Sequence, residues 1–397
     1  MADAGRETWI TGIGIVSCLG EGPETHWQRL NEPPAPDTQA FSPYIVHRLA
    51  PLEFDRQIPK KGDQRQMETW QRIGVYAAGL ALDSAGAKGN PELLARMDMI
   101  VAAGGGERDE AVDSAILSGL GKTERKEAFL NERLMSDLRP TLFLAQLSNL
   151  LAGNISVVHG VTGSSRSFMG EESAGFDAVR IALARVESGQ SDIILVGGSY
   201  NADRKDLLLL FETGGHLLKG PFAPVWERAD RGGGIAPGSM GAFLVLESRE
   251  HATARNAAAL ARLSGVQSDH TNRKPGAITQ AMARMWNSLA PRLVPGRVAI
   301  ISGASGAEPA TSEERAWLAT LPDVPVRAPG TQIGHGIEPQ FLMNIALATV
   351  ALGHERLPAP ATSSGPETVM AGPLAQAVVT GVGYWRGEGM ALVEAAR

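Results

Sequence analysis

The chain is poor in the residues that build disulfides and metal centres. Cys18 is the single cysteine in 397 residues. One thiol closes no intramolecular disulfide and builds no cysteine cluster, so a reducing cytoplasm is the expected setting. The eight histidines are scattered, without a His-x-x-x-His or Glu-x-x-His pair, so neither a metal nor a cofactor is expected. No run of 18 uninterrupted apolar residues occurs, and MADAGRETW has no apolar signal core, so neither a membrane span nor a leader is expected. A formal charge of −6 disfavours nucleic acid and anionic membranes unless a local basic patch intervenes. What remains is ordinary globular chemistry, with 43% hydrophobic and 20% charged residues, enough for a real core.

Short apolar runs alternate with helical patterns. Strands are expected at Trp9–Val16, Met97–Ala103, Ile193–Gly197, Ala242–Leu246, Val298–Ile301, Ala377–Thr380 and Met390–Val393. Most are continuous apolar runs ending at Gly or Ser, which suits a sheet covered on both faces. Helices are expected at Met67–Ala85 and Ala174–Ser188. In the second, Phe176, Val179, Leu183 and Val186 form one apolar stripe. The chain divides into two similar halves, 1–250 and 251–397. The first closes on GAFLVLE and the second, after a linker-like helix EHATARNAAALARL, on GMALVEA.

GIGIVS at 12–17 has two glycines of a dinucleotide fingerprint but lacks the third, so it reads as a strand entering a turn. Its context is more informative. WITGIGIVSCLGEGPETHWQRL resembles the opening of elongating β-ketoacyl-acyl-carrier-protein synthases. The resemblance continues in order through QRQMETWQRIGVYAAGLALDSAG, LAGNISVVHGVTGSSRSF, SGQSDIILVGGS and PFAPVWERADRGGGIAPGSMGAFLVLE, and ends at TQIGHG and TGVGYWRGEG. It implies the thiolase-like, five-layered αβαβα fold: two related halves, each with a mostly parallel sheet. It also implies a dimer, with LFLAQLSNLLAGNISVV supplying interface and acyl-tunnel residues.

That family uses a cysteine nucleophile at a helix N-terminus and two histidines. Carried over residue by residue, the nucleophile position falls on Glu172, with Glu171 one residue away as the other candidate. The first-histidine position falls on Ser305, or on Ser302 with a small gap. The supporting lysine is replaced by Gly330, and only His335 survives. Acyl transfer to a thiol is chemically excluded here. Glu172 is expected to serve the structure or an acyl tunnel, and His335 to be a relic satisfied by backbone groups. Tyr384, after Gly383, takes the family's gating position. The following Trp385-Arg386 replaces two glycines, which implies a partly plugged entrance.

In the family, basic residues help to dock acidic acyl carrier protein. Lys60, Lys61 and Arg65 occupy that place here, with Arg255 and Arg262, on the helix after the first half, as weaker candidates. Retained fold with lost chemistry implies a non-catalytic subunit. It would pair with an intact ketosynthase in fatty-acid or polyketide elongation, as a chain-length factor does. Two alternatives stay open. One is a malonyl decarboxylase or diverged condensing enzyme using Glu172 and His335; relatives with Gln at the nucleophile position either decarboxylate or act as such subunits. The other is a homodimeric binder of acyl chains or carrier protein.

Overall fold

The computed structural model describes residues 5–138, 146–362 and 365–396. Eleven strands form one sheet: β1 Thr8–Ser17, β2 Gly20–Glu21, β3 Asp98–Ala103, β4 Ser165–Met169, β5 Ile193–Tyr200, β6 Met240–Ser248, β7 Ala261–Asp269, β8 Val298–Ile301, β9 Val326–Arg327, β10 Gln376–Val382 and β11 Glu388–Ala395. Their order is β4-β3-β5-β6-β1-β7-β11-β10-β8-β9, with β2 paired to β1.

The order is a palindrome in topology. β1, β3, β4, β5 and β6 are arranged among themselves as β7, β8, β9, β10 and β11 are. In each set the second strand pairs in parallel with the third and fourth, and the fifth runs antiparallel to both its neighbours. Most strands in each set therefore point one way. The sets meet where Trp9 and Ile10 of β1 pair with Arg262 and Ala261 of β7.

Helices make the other three layers. Thr69–Ser84 starts in a capping box between Glu68 and Gln71 and packs on β1 and β6. Its contact is close because β1 carries glycines there. A Cβ on Gly14 would lie 2.0 Å from the Ala77 carbonyl oxygen, and one on Gly12 2.4 Å from that of Ala81. Glu171–Glu187 and Gln340–Gly353 pack together in the middle, sharing one core with both strand sets; Phe176 meets Phe341 edge-on at 5.0 Å. Ala277–Leu289 and Ala310–Leu318 cover the far face. The layering is αβαβα, the thiolase-like fold.

Two expectations are corrected. EHATARNAAALARL is not one helix: the helix runs only over Arg249–Ala254, and the ARL segment opens β7. Asn256, at φ 57, leaves the helical region and ends it. Arg262 accordingly lies in β7, not on a helix. Of the stretch expected at an interface, 142–145 lie outside the described residues. Residues 146–149 form a turn and the remainder lies in the Leu150–His159 helix, with Val157 71% exposed.

Candidate active site

The site is assembled from the middle helices and the β10–β11 connection. β4 ends at Met169, Gly170 turns the chain at φ 114, and the Glu171–Glu187 helix begins at once. Glu171 takes φ 28, uncommon for a residue with a Cβ, so the turn is tight. The next residue, Glu172, is thereby directed inward and is 2% exposed. Glu171 stays nearer the surface and pairs with Arg386 at 3.2 Å.

Glu172 meets His335, itself 2% exposed: Nε2 lies 2.8 Å from Oε1. The Tyr384 backbone N–H donates to the same Oε1 at 3.2 Å. His335 is therefore not satisfied by backbone groups, as its sequence context implied. Its ring partner is instead the carboxyl group of Glu172. Glu172 Oε2 and His335 Nδ1 have no hydrogen-bond partner among the described residues. Gly383 keeps the space open: a Cβ there would lie 3.1 Å from Glu172 Oε2 and 2.1 Å from the Arg386 carbonyl oxygen.

The structure does not bring Ser305 into this pair. Ser305 is buried, but its hydroxyl accepts from the Ala307 N–H at 3.2 Å within its own turn. Ser302 also serves packing: its hydroxyl donates to Glu314 at 2.9 Å, where Thr380 donates as well. Gly330 opens a short helix, Gly330–Ile333, and is buried.

Tyr384 packs its ring against Phe211 and His216 at centroid distances of 5.4 and 4.9 Å. The loop that carries it is held from outside. Arg273 donates to the carbonyls of Gly383 at 2.7 Å, Trp385 at 3.1 Å and Gly387 at 3.4 Å, and pairs with buried Glu388.

Glu338, three residues after His335, was not singled out in the sequence. It is 7% exposed and its Oε2 has no hydrogen-bond partner among the described residues. Burial, reinforced by the charges of Glu172 and Glu171, pushes its carboxyl up to about 7. A signal was present: it is the one acidic residue in the run from Gly330 to Gly353.

The basic segment lies elsewhere. Lys60, Lys61 and Arg65 are exposed around a short helix, Lys61–Gln66, and Lys61 pairs with Asp55 at 2.6 Å. Arg255 is committed to buried Glu247 through two 2.7 Å bonds, and Arg262 to Glu394 at 2.6 Å. Neither Arg255 nor Arg262 is a free docking cation. No group of three or more metal-ligating side chains occurs among the described residues, and there no helix is long and apolar enough to cross a membrane.

The model of the β-ketoacyl synthase N-terminal domain matches residues 6–252. The 3-oxoacyl-[acyl-carrier-protein] synthase 2 of Vibrio cholerae is 25% identical over 272 residues, covering 66% of this chain and 62% of that protein. Nodulation protein E of Rhizobium meliloti is 31% identical over 270 residues, covering 66% of this chain and 62% of its own. The chain thus matches under two thirds of the length of these relatives. The solved ishigamide ketosynthase/chain length factor superposes with a TM-score of 0.79 at 19% identity, over 99% of this chain and 100% of that one, a likeness of fold. With a family model covering well over half its length, the chain belongs to the β-ketoacyl synthase family.

Proposed function

We propose that this protein is a non-catalytic subunit of a carrier-protein-dependent elongation system, shaping the acyl site of an intact ketosynthase as a chain-length factor does. The observation that carries the reading is the 2.8 Å contact between Glu172 and His335. Condensation needs a thiolate to hold the growing acyl chain. A carboxyl group stands at that position and is already engaged by the histidine that would otherwise polarise a bound carbonyl. The first-histidine position, Ser305, is turned into its own loop. The gate loop is tied down by Arg273 rather than free to swing.

Decarboxylation of a malonyl group fits less well. If Glu172 is ionised, its charge and that of malonate about 4 Å apart would repel by roughly 4 kcal/mol at an effective dielectric near 20. Fatty-acid or polyketide elongation is the proposed setting, with acyl carrier protein as partner and Lys60, Lys61 and Arg65 as its docking cations. The proposed assembly is a dimer, with an intact ketosynthase or with a second copy, in the cytoplasm. Residues 1–250 and 251–397 are proposed to be repeated halves of one folding unit, in keeping with their shared strand order.

The test is to assay malonyl-carrier decarboxylation and condensation by the purified protein alone, and again after co-expression with an intact ketosynthase. A co-purifying heterodimer, active only as the mixture, is the expected result. Turnover by the protein alone, abolished in Glu172→Ala or His335→Ala, would overturn the reading and make this an enzyme that works without cysteine.

A further inference from the structure

A second polar site lies at the opposite end of β1. That strand ends at Ser17, and the next residue, Cys18, donates to the Gln332 carbonyl three residues ahead of His335. Its other end, at Thr8 and Trp9, borders a cleft of about 460 Å³ at the seam where β1 pairs with β7. Ten residues of strand put the two sites about 30 Å apart. The volume is within the range of about 300–1,000 Å³ usual for small-molecule sites.

Four guanidinium groups line this cleft, those of Arg249, Arg262, Arg292 and Arg297, against two carboxylates, Glu7 and Glu394. The carboxylates are already engaged. Glu394 accepts from Arg262 at 2.6 Å, from Gln376 at 2.8 Å and from Ser264. Glu7 accepts from the Trp9 indole at 2.7 Å and pairs with Arg249 at 3.4 Å. Arg292 donates to the Ser264 carbonyl at 2.8 Å and lies 3.8 Å from Glu394, and Arg297 has no carboxylate partner among the described residues. The cleft thus holds an excess of two positive charges on a chain whose formal charge is −6.

We propose that this cleft binds a phosphate-bearing small anion of at least two negative charges, a diphosphate or the diphosphate part of a nucleotide. Guanidinium forks match phosphate oxygens two at a time, and an excess of two charges calls for a divalent anion rather than a monocarboxylate. A nucleic-acid duplex is a poor fit, because the excess is confined to one cleft of an acidic protein. The site is independent of the reading given for Glu172 and His335.

The experiment is calorimetric titration of the full chain, in low-salt buffer, with inorganic pyrophosphate and separately with ADP. Saturable binding of one equivalent is expected, weakened roughly tenfold or more in Arg292→Ala/Arg297→Ala. Both side chains are exposed, so the variant should keep the native Tm, which the same preparation checks. Equal affinity for the two probes assigns recognition to the phosphates alone. Tighter ADP binding also supports the proposal and adds a contact to the base, with Trp9 at the cleft. The proposal fails if neither probe binds at millimolar concentration, if the double variant binds as well as the native protein, or if only an acidic carrier protein binds there.

Discussion

Glu172 and His335 are 163 positions apart in sequence and 2.8 Å apart in space, both buried, each with its other polar atom unpartnered among the described residues. Such a pair is costly to leave half-made. Removing one member strands the other away from water, whereas an uncharged substitute that keeps the hydrogen bond avoids most of that penalty.

Glu172→Ala is expected to destabilise the protein by about 3 kcal/mol or more, since it leaves the His335 ring with no partner. Glu172→Gln retains an acceptor for the Tyr384 N–H and should cost about 1 kcal/mol. Chemical unfolding of the two variants checks this. Equal stability of alanine variant and native protein would refute the pair's structural role.

Restoring the nucleophile alone should not restore chemistry. Glu172→Cys supplies a thiol, but Ser305, proposed to stand at the first-histidine position, faces its own turn, and Gly330 has no side chain to assist. Condensation by this variant, measured with acyl- and malonyl-carrier substrates, is expected to stay at background.

Arg273 ties the loop from Gly383 to Gly387 to buried Glu388, which also accepts from the Thr271 N–H at 3.0 Å and hydroxyl at 2.9 Å. Arg273→Ala leaves Glu388 without its cation and frees the carbonyls of Gly383, Trp385 and Gly387. A loss on the order of 3–5 kcal/mol is expected, together with new proteolytic cleavage between Gly383 and Gly387. An unchanged digestion pattern would show that Arg273 does not restrain the loop.

Three buried histidines predict acid lability. Burial lowers His26 to about 4, His47 to about 3 and His159 to about 4, from an ordinary 6.5. Between the ordinary and lowered values, the unfolded chain binds a proton that the folded chain refuses. Each histidine therefore removes about 1.4 kcal/mol per pH unit as pH falls through that window. Urea midpoints should drop steeply below pH 6.5 and less steeply in His159→Gln.

Glu338 has the opposite sign. Its carboxyl is raised from 4.5 to about 7, so the folded protein holds a proton that the unfolded chain releases. Its contribution is present at acid pH and lost as pH rises through that window. Glu338→Gln should leave stability near pH 4.5 unchanged and raise it above pH 7, on the order of 3 kcal/mol. Thermal melts across this range decide it, and a variant less stable at high pH would reverse the argument.

Buried strands were the most legible part of the sequence. Val298–Ile301 has the bounds its apolar run implies, and β1, β3, β5, β6, β10 and β11 contain or nearly match theirs. β4 was not legible, because SRSFM is a partly exposed strand with little apolar signal. β7 was hidden by alanine-rich helical propensity, which Asn256 overrides. At the site, the spacing back from Gly175 pointed to Glu172 or its neighbour Glu171, and of the two it is Glu172 that is buried. The partnership with His335 was not legible, since nothing local tells that two distant turns face each other. Glu338 escaped for the same reason: its shifted protonation arises from burial and from charges brought by another segment.

The matched strand orders give Glu172 and His335 a further meaning. Each follows the third strand of its own five-strand set, β4 in one and β9 in the other. The contact is thus made between corresponding corners of two like arrangements, one supplying an acid and the other a base. Neither arrangement by itself could quiet its own buried polar group, so the loss of either corner is felt by both. The contact clasps the two sets together, and a change at one corner must be answered at the other.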